Sequence, residues 1–294
     1  MRLLKDIIRL ARIRQWVKNL FVFLPLLFGG GLLSRTGLAS AAGAFICFSL
    51  AASAIYALND IADRNRDRQH SSKSHRPVAS GRLRPEAAGA LSGVLATLAL
   101  AGSRWMFPDR PEVCAIVAAY ILLNILYTYA LKHMAIIDVM VIALGFVLRV
   151  FAGGEACGIP VSPWLTIMVF MLTLFIAFGK RRDDLLRMKE ERHAIRKSVA
   201  GYTLGFIDQT MTLLASAMIV AYIIYSLQPE VENRFNSHYV YLTTIFVIAG
   251  VLRYMQIAIV KKNSGQPTEM VYTDPFLLTC IILWIATFIL IIYT

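Results

Sequence analysis

Several long stretches of this chain carry no charged residue, among them Leu38 to Leu58 and Ala156 to Gly179. A helix needs roughly 20 apolar residues to cross the hydrocarbon layer of a bilayer, and these runs are long enough. A transmembrane barrel would alternate apolar and polar residues over strands of about ten, whereas these runs are continuous in Leu, Ala, Ile and Phe. Composition agrees: 57% hydrophobic and 16% charged over 294 residues, with a mean hydropathy of +0.61. No soluble core of this size needs that much apolar material, so soluble enzymes and fibrous proteins are excluded. The expectation is an all-α membrane protein.

Nine spans are read from the runs: Leu20 to Leu33, Leu38 to Leu58, Ala87 to Met106, Val113 to Leu131, Ile136 to Gly154, Pro160 to Gly179, Gln209 to Leu227, Tyr239 to Val260 and Pro275 to Tyr293. The chain carries a formal charge of +12, and 24 of its 30 Lys and Arg fall in alternate connections. Six precede the first span, seven lie between Arg64 and Arg84, one is Lys132, eight lie between Lys180 and Lys197, and two are Lys261 and Lys262. The positive-inside rule puts the N-terminus and those connections on the cytoplasmic face of an inner or plasma membrane. The N-terminal residues Arg2, Lys5, Arg9, Arg12, Arg14 and Lys18 lie in an amphipathic stretch with no small-residue cleavage site, so the first span is expected to stay in the mature protein. Cys47, Cys114, Cys157 and Cys280 lie singly in or beside apolar runs, without ligand spacing, and read as packing residues. The whole chain, 1–294, reads as one transmembrane domain whose cytoplasmic loops, about 59–85 and 180–208, form a polar cap. Four spans separate these loops, which suggests two four-helix halves with a ninth helix added.

The first loop opens with Asn59-Asp60-Ile61-Ala62-Asp63-Arg64-Asn65-Arg66-Asp67. At i, i+3 and i+7 on a helix, Asp60, Asp63 and Asp67 share one face, with the Asn59 amide a turn before Asp63. Three clustered carboxylates repel unless a cation sits among them, and oxygen-only donors select a hard ion such as Mg²⁺. The bland alternative is a solvated helix end with i, i+4 ion pairs, which Asp60 and Arg64 would satisfy and Asp63 and Asp67 would not. Downstream, Lys73 and Arg76 are suited to the phosphate oxygens a metal leaves open, as, less strongly, are Arg82 and Arg84; the competing explanation is topological charge alone.

The second loop begins Gly179-Lys180-Arg181-Arg182-Asp183-Asp184-Leu185-Leu186-Arg187. Lys180, Asp184, Arg187 and Glu191 share a mixed-sign helical face, which reads either as surface ion pairs or as a second wall of a polar cavity. In the latter case Lys180 and Arg181 would take phosphate and Asp184 a second metal or a hydroxyl. The segment Arg12-Ile13-Arg14-Gln15-Trp16-Val17-Lys18-Asn19 is either an interfacial anchor or a site for an anionic lipid head group. Within spans, Asp138 lies near Lys132, Arg149 has Glu155 as a candidate partner, and Arg253 must also avoid lipid. His70, His75, His133, His193 and His238 show no ligand spacing, which speaks against zinc or haem.

Asn59-Asp60-x-x-Asp63-x-x-x-Asp67, followed by Arg76-Pro77-x-x-Ser80-Gly81 and by Tyr127-Thr128-Tyr129-Ala130-Leu131-Lys132, resembles the UbiA superfamily of intramembrane prenyltransferases over nearly the whole chain. The resemblance implies a UbiA-like bundle of nine helices, with Mg²⁺ and a substrate diphosphate held at Asn59, Asp60, Asp63 and Asp67. The family's second motif, two aspartates four apart, is not intact: Arg187 stands four after Asp183 and Met188 four after Asp184. With Arg14-Gln15-Trp16-Val17-Lys18-Asn19 and Gly179-Lys180-Arg181, this departure resembles the family's polyprenyl-phosphate phosphoribosyltransferase branch. That branch implies transfer of 5-phosphoribosyl from phosphoribosyl diphosphate to a polyprenyl, decaprenyl-like phosphate for cell-envelope biosynthesis, through a dissociative, oxocarbenium-like displacement. Gln15, Lys18, Asn19, Lys73, Arg76, Tyr127, Lys132, Lys180, Arg181, Asp184 and Arg187 become the candidate substrate-binding residues. An aromatic prenyltransferase using a polyprenyl diphosphate is the near alternative and a cation transporter the distant one. No nucleic-acid partner is expected, and the oligomeric state is left open.

Overall fold

The computed structural model describes residues 2–29, 31, 34–69, 73–191, 197–261, 270 and 273–293. His70, Arg192, His193 and Lys262 lie outside them. The described residues form helices and no strands. Seven helical segments are long and apolar enough to cross a membrane: Arg35–Ala62, Pro85–Met106, Pro111–Tyr129, Ile137–Cys157, Pro163–Arg187, Leu204–Ser226 and Val240–Val260, with Pro275–Ile291 a shorter apolar helix. The chain divides into two compact units, residues 1–132 with 144–161, and residues 133–143 with 162–294.

In the first unit α1 (Arg2–Ala11) leads into a 3₁₀ segment (Ile13–Phe23), α2 (Leu24–Phe28), α3 (Arg35–Ala62), the short α4 (Arg64–Arg68), α5 (Pro85–Met106) and α6 (Pro111–Tyr129). Pro85 and Pro111 sit at the first helical position, where the missing N–H is no loss. α3 is the central element, packed by α5, α6, α1 and the 3₁₀ segment. Its buried face is made largely of Ala, Ser and Gly. In lipid, where apolar burial does not drive helices together, such small residues let backbones approach closely. Large side chains point outward instead, as Leu98, Leu122 and Trp105 do, Trp105 being 83% exposed.

The expected first span is not one α-helix. A 3₁₀ segment replaces its start, Pro25 opens α2, and α2 ends at Phe28. An added Cβ on Gly153 would lie 1.8 Å from the Val22 carbonyl oxygen, so the backbone of this segment rests directly on a later long helix. That helix, α7 (Ile137–Cys157), contributes its residues from Leu144 onward to the first unit and Ile137 to Ala143 to the second.

The second unit holds α8 (Pro163–Glu191), α9 (Leu204–Ser226), α10 (Pro229–Phe235), α11 (Thr244–Met255) and α12 (Pro275–Tyr293). α8 packs on α9, and α11 on both α9 and α12. A π-turn at Gln256–Val260 ends the α11 span, and Arg182 Nη1 donates to the Ala258 carbonyl there (2.9 Å). α8 continues through the predicted boundary at Gly179, so the charges from Lys180 to Arg187 stand on a helix and not in a loop.

Candidate active site

α3 ends at Ala62, and Asp63 breaks the helix before α4 resumes at Arg64. The three carboxylates therefore do not stack on one continuous helix. Asp60 is 2% and Asp67 3% exposed. Arg76 Nη1 joins these two, donating to Asp67 Oδ2 (2.6 Å) and Asp60 Oδ1 (3.2 Å). Arg12 also donates to Asp60 Oδ1, its guanidinium 4.9 Å from the centre of the Tyr56 ring. Asp63 turns to Lys132, whose Nζ donates to Oδ1 at 2.7 Å. Asn59 Oδ1 accepts from Thr128 Oγ1 (2.7 Å), tying the motif to α6. The i, i+4 pair of Asp60 with Arg64 does not form, since Arg12 and Arg76 take its place.

Arg76 is placed by a folded turn. Its amide donates to the Lys73 carbonyl (3.0 Å), its carbonyl accepts from the Ser80 amide (2.9 Å), and Gly81 adopts a φ of +77° that favours glycine. Val78 and Leu83 bury against Leu10, Ala57 and Ala88, while Arg68 Nε holds the Ala79 carbonyl (2.9 Å) and Arg82 Nε reaches Asp6 (3.1 Å). Burial and the Arg12 charge push Arg76 below its ordinary pKa, opposed by Asp60 and Asp67. A guanidinium nonetheless stays charged in protein surroundings.

The N-terminal segment is fastened along α3. Trp16 Nε1 donates to Ser53 Oγ (3.0 Å), Ser53 Oγ to the Ala11 carbonyl (2.8 Å), and Asn19 Nδ2 to Ser49 Oγ (2.9 Å). Gln15 and Lys18 are partly exposed beside it. Arg149 does not pair with Glu155: six residues onward on a helix is about 240° around the axis, on another face. Tyr127 is buried and Lys73 partly exposed.

In the second unit Arg181 is 1% exposed, its Nε donating to Asp138 Oδ2 (2.7 Å) and its Nη1 to Asp184 Oδ2 (2.6 Å). Asp138 also accepts from Tyr202 OH (2.8 Å). Asp138 is thus held by Arg181 and Tyr202, while its neighbour in sequence, Lys132, pairs with Asp63. Arg187 Nε pairs with Asp183 Oδ2 (2.8 Å), and both Lys180 and Arg187 are exposed. Arg181 and Asp184, which the sequence offers as substrate contacts, are paired with each other, and Arg181 with Asp138 as well.

All donors in the Asn59 to Asp67 segment are hard oxygens, the type Mg²⁺ selects. Among the described residues no group of three or more His, Cys, Asp or Glu stands close enough to hold an ion unaided. The set fits a metal that takes one or two carboxylates and fills its remaining positions with water and substrate phosphate. Sequence reasoning missed Arg12, which is 48 positions from Asp60 and in a left-handed backbone conformation at φ 50°.

The chain belongs to the UbiA prenyltransferase family, which it matches over residues 22–281. It is 33% identical over 295 residues to a decaprenyl-phosphate phosphoribosyltransferase from Mycolicibacterium smegmatis, covering 97% of this chain and 92% of that protein. A protein of the same name from Mycobacterium tuberculosis is 31% identical over 294 residues, covering 97% and 93%. Among solved structures, a UbiA homolog from Archaeoglobus fulgidus bound to GPP and Mg²⁺ is similar with a TM-score of 0.73 at 19% identity, covering 98% of this chain and 100% of that one. That likeness concerns the fold. Family and apolar helices together make this an integral membrane protein.

Proposed function

We propose that this protein transfers the 5-phosphoribosyl group of phosphoribosyl diphosphate to a polyprenyl phosphate and releases diphosphate. One observation carries the reading: the buried carboxylates of Asp60 and Asp67 are held by a guanidinium, Arg76, whose planar fork also suits a diphosphate. The long matches to decaprenyl-phosphate phosphoribosyltransferases support the choice of substrates.

Asp60, Asp63 and Asp67, with the Asn59 amide, would hold Mg²⁺. Bound there, the metal would supply charge neutralisation for the departing diphosphate. Arg76, Arg12 and Lys132 offset the carboxylates and turn to phosphate oxygens when donor binds. Lys73 and Tyr127 belong to the same subsite by their place beside Arg76 and Lys132 in the chain. The bond from the ribose anomeric carbon to diphosphate breaks, and a lipid phosphate oxygen takes that carbon. No general base is required, because the attacking phosphate is already an anion.

The whole chain acts as one catalytic domain with this site at the cytoplasmic face, where the basic connections concentrate. Residues 13–28 and α12 make the two crossings that complete nine. Eleven residues of 3₁₀ helix and five of α-helix rise about 30 Å, the thickness of the hydrocarbon layer. The test is incubation of purified protein with labelled phosphoribosyl diphosphate and Mg²⁺. Label should move into the lipid phase only when a polyprenyl phosphate is added, and stop on chelation. Prenylation of an aromatic acid by a polyprenyl diphosphate, without phosphoribosyl transfer, would overturn the assignment.

A further inference from the structure

A cavity of about 510 Å³ opens in the first unit at the end of α3 opposite the carboxylates. Thr36 and Ser40, which line it, precede Asp60 by 24 and 20 residues, about 30 to 36 Å along the helix. The space is therefore no part of the carboxylate site. Its polar lining is Ser34, Thr36, Ser40, Asp109 and Arg110, with one charge of each sign. Leu26, Phe107 and Ile159 give it an apolar wall.

Arg110 stands between α5 and α6 and is held in place. Its Nη1 donates to the Glu155 (2.7 Å) and Ala156 (2.9 Å) carbonyls in the last turn of α7. Gly158, at a φ of +67°, leaves room for it: a Cβ there would lie 2.6 Å from Arg110 Nη2. No hydrogen bond among the described residues engages Nε or Nη2, so those donors stay available. Asp109 is next in the chain and lines the same space, yet the two do not pair, and its carboxylate has no partner among the described residues. Adjacent unlike charges that do not neutralise each other complement a ligand carrying both.

The level in the membrane says which ligand. Trp105 is exposed at the end of its span, one and two residues before Met106 and Phe107, which line the cavity. Outward tryptophans at span ends sit among lipid head groups. A zwitterion at that level, with an apolar wall beside it, is a phospholipid head group. A primary ammonium can donate to Asp109 and to the hydroxyls of Thr36 and Ser40, whereas a trimethylammonium has no N–H to give.

We propose that this cavity binds the head group of a phosphatidylethanolamine from the leaflet at that end of the span, with the phosphate on Arg110 and the ammonium on Asp109. The full chain, stripped of lipid in detergent, is titrated with dioleoyl phosphatidylethanolamine, phosphatidylcholine or phosphatidylglycerol, and bound lipid is counted by native mass spectrometry. The ethanolamine lipid should bind about tenfold more tightly than the choline lipid, the worth of one charge-assisted hydrogen bond. It should also outbind the glycerol lipid, which offers Asp109 no cation. Asp109→Ala, at an exposed position, should bring the ethanolamine lipid down to the choline level. Arg110→Met should weaken all three lipids about tenfold, and Arg110→Lys should recover part of that loss. Should Arg110→Met fail to fold, Asp109→Ala decides the case. Equal binding of the three lipids, a preference for the glycerol lipid, or an ethanolamine preference untouched by Asp109→Ala would overturn the site. Glycerophosphoethanolamine, the head group without its chains, should compete only in large excess. Competition at the lipid's own concentration would give the cavity to a zwitterionic solute and overturn the lipid assignment.

Discussion

Lys132 Nζ stands 2.7 Å from Asp63 Oδ1, joining two residues 69 positions apart, with Lys132 4% exposed. Such a pair could serve only to hold the fold, or its two charges could act on different ligands during turnover. Exchanging them distinguishes these cases. Asp63→Asn and Lys132→Met should each lower kcat/KM at least about a hundredfold. The double exchange Asp63→Lys with Lys132→Asp should regain thermal stability and stay inactive. An active double exchange would make the pair purely structural.

The Gly153 contact is between backbones, so no side chain can move aside. Gly153→Ala should destabilise the protein by more than about 3 kcal/mol, beyond ordinary overpacking. Gly93, helical and with nothing within 4 Å of where a methyl would stand, gives the opposite sign: Gly93→Ala should stabilise by about 0.5 to 1 kcal/mol. Thermal denaturation in one detergent reads both.

Arg76 joins Asp60 to Asp67 through one guanidinium nitrogen, and a lysine would keep the charge without the planar fork. Arg76→Lys should therefore lower kcat/KM for phosphoribosyl diphosphate about tenfold to a hundredfold, the worth of one charge-assisted hydrogen bond. Steady-state kinetics at saturating lipid acceptor measures this. Wild-type kcat/KM in the lysine variant would mean that a point charge suffices at this position.

Tyr202 OH donates to Asp138 and accepts from the Ile136 amide, at a β-branched residue held in the left-handed region at φ 69°. Burial raises the phenol's pKa. Tyr202→Phe removes both bonds and should cost about 1 to 3 kcal/mol. The melting temperature checks this, and an unchanged value would mean that the hydroxyl is dispensable to the turn.

The acidic segment was legible because its composition conflicts with its place: carboxylates at the end of an apolar helix need partners, whatever the fold. The partners were less legible. Lys73 and Arg76 follow in the same connection and could be inferred, whereas Arg12 is set against Asp60 by an unusual backbone turn that no spacing encodes. Arg149 was visible as an oddity, but sequence distance suggested Glu155, and only helical angle and tertiary packing turn it toward Asn19 and Tyr120. Most spans appeared because apolar length is a one-dimensional property. The first did not appear in its true form, since a run of apolar residues does not distinguish 3₁₀ from α geometry.

α8 runs unbroken for 29 residues, about 43 Å, some 13 Å more than the hydrocarbon layer requires. Its charged end is consequently a stiff lever: a tilt or rotation of the membrane-buried half is transmitted undiminished to Lys180 and Arg187. A spectroscopic label on that exposed tip would report motions of the span from the aqueous side, without a probe placed in the lipid.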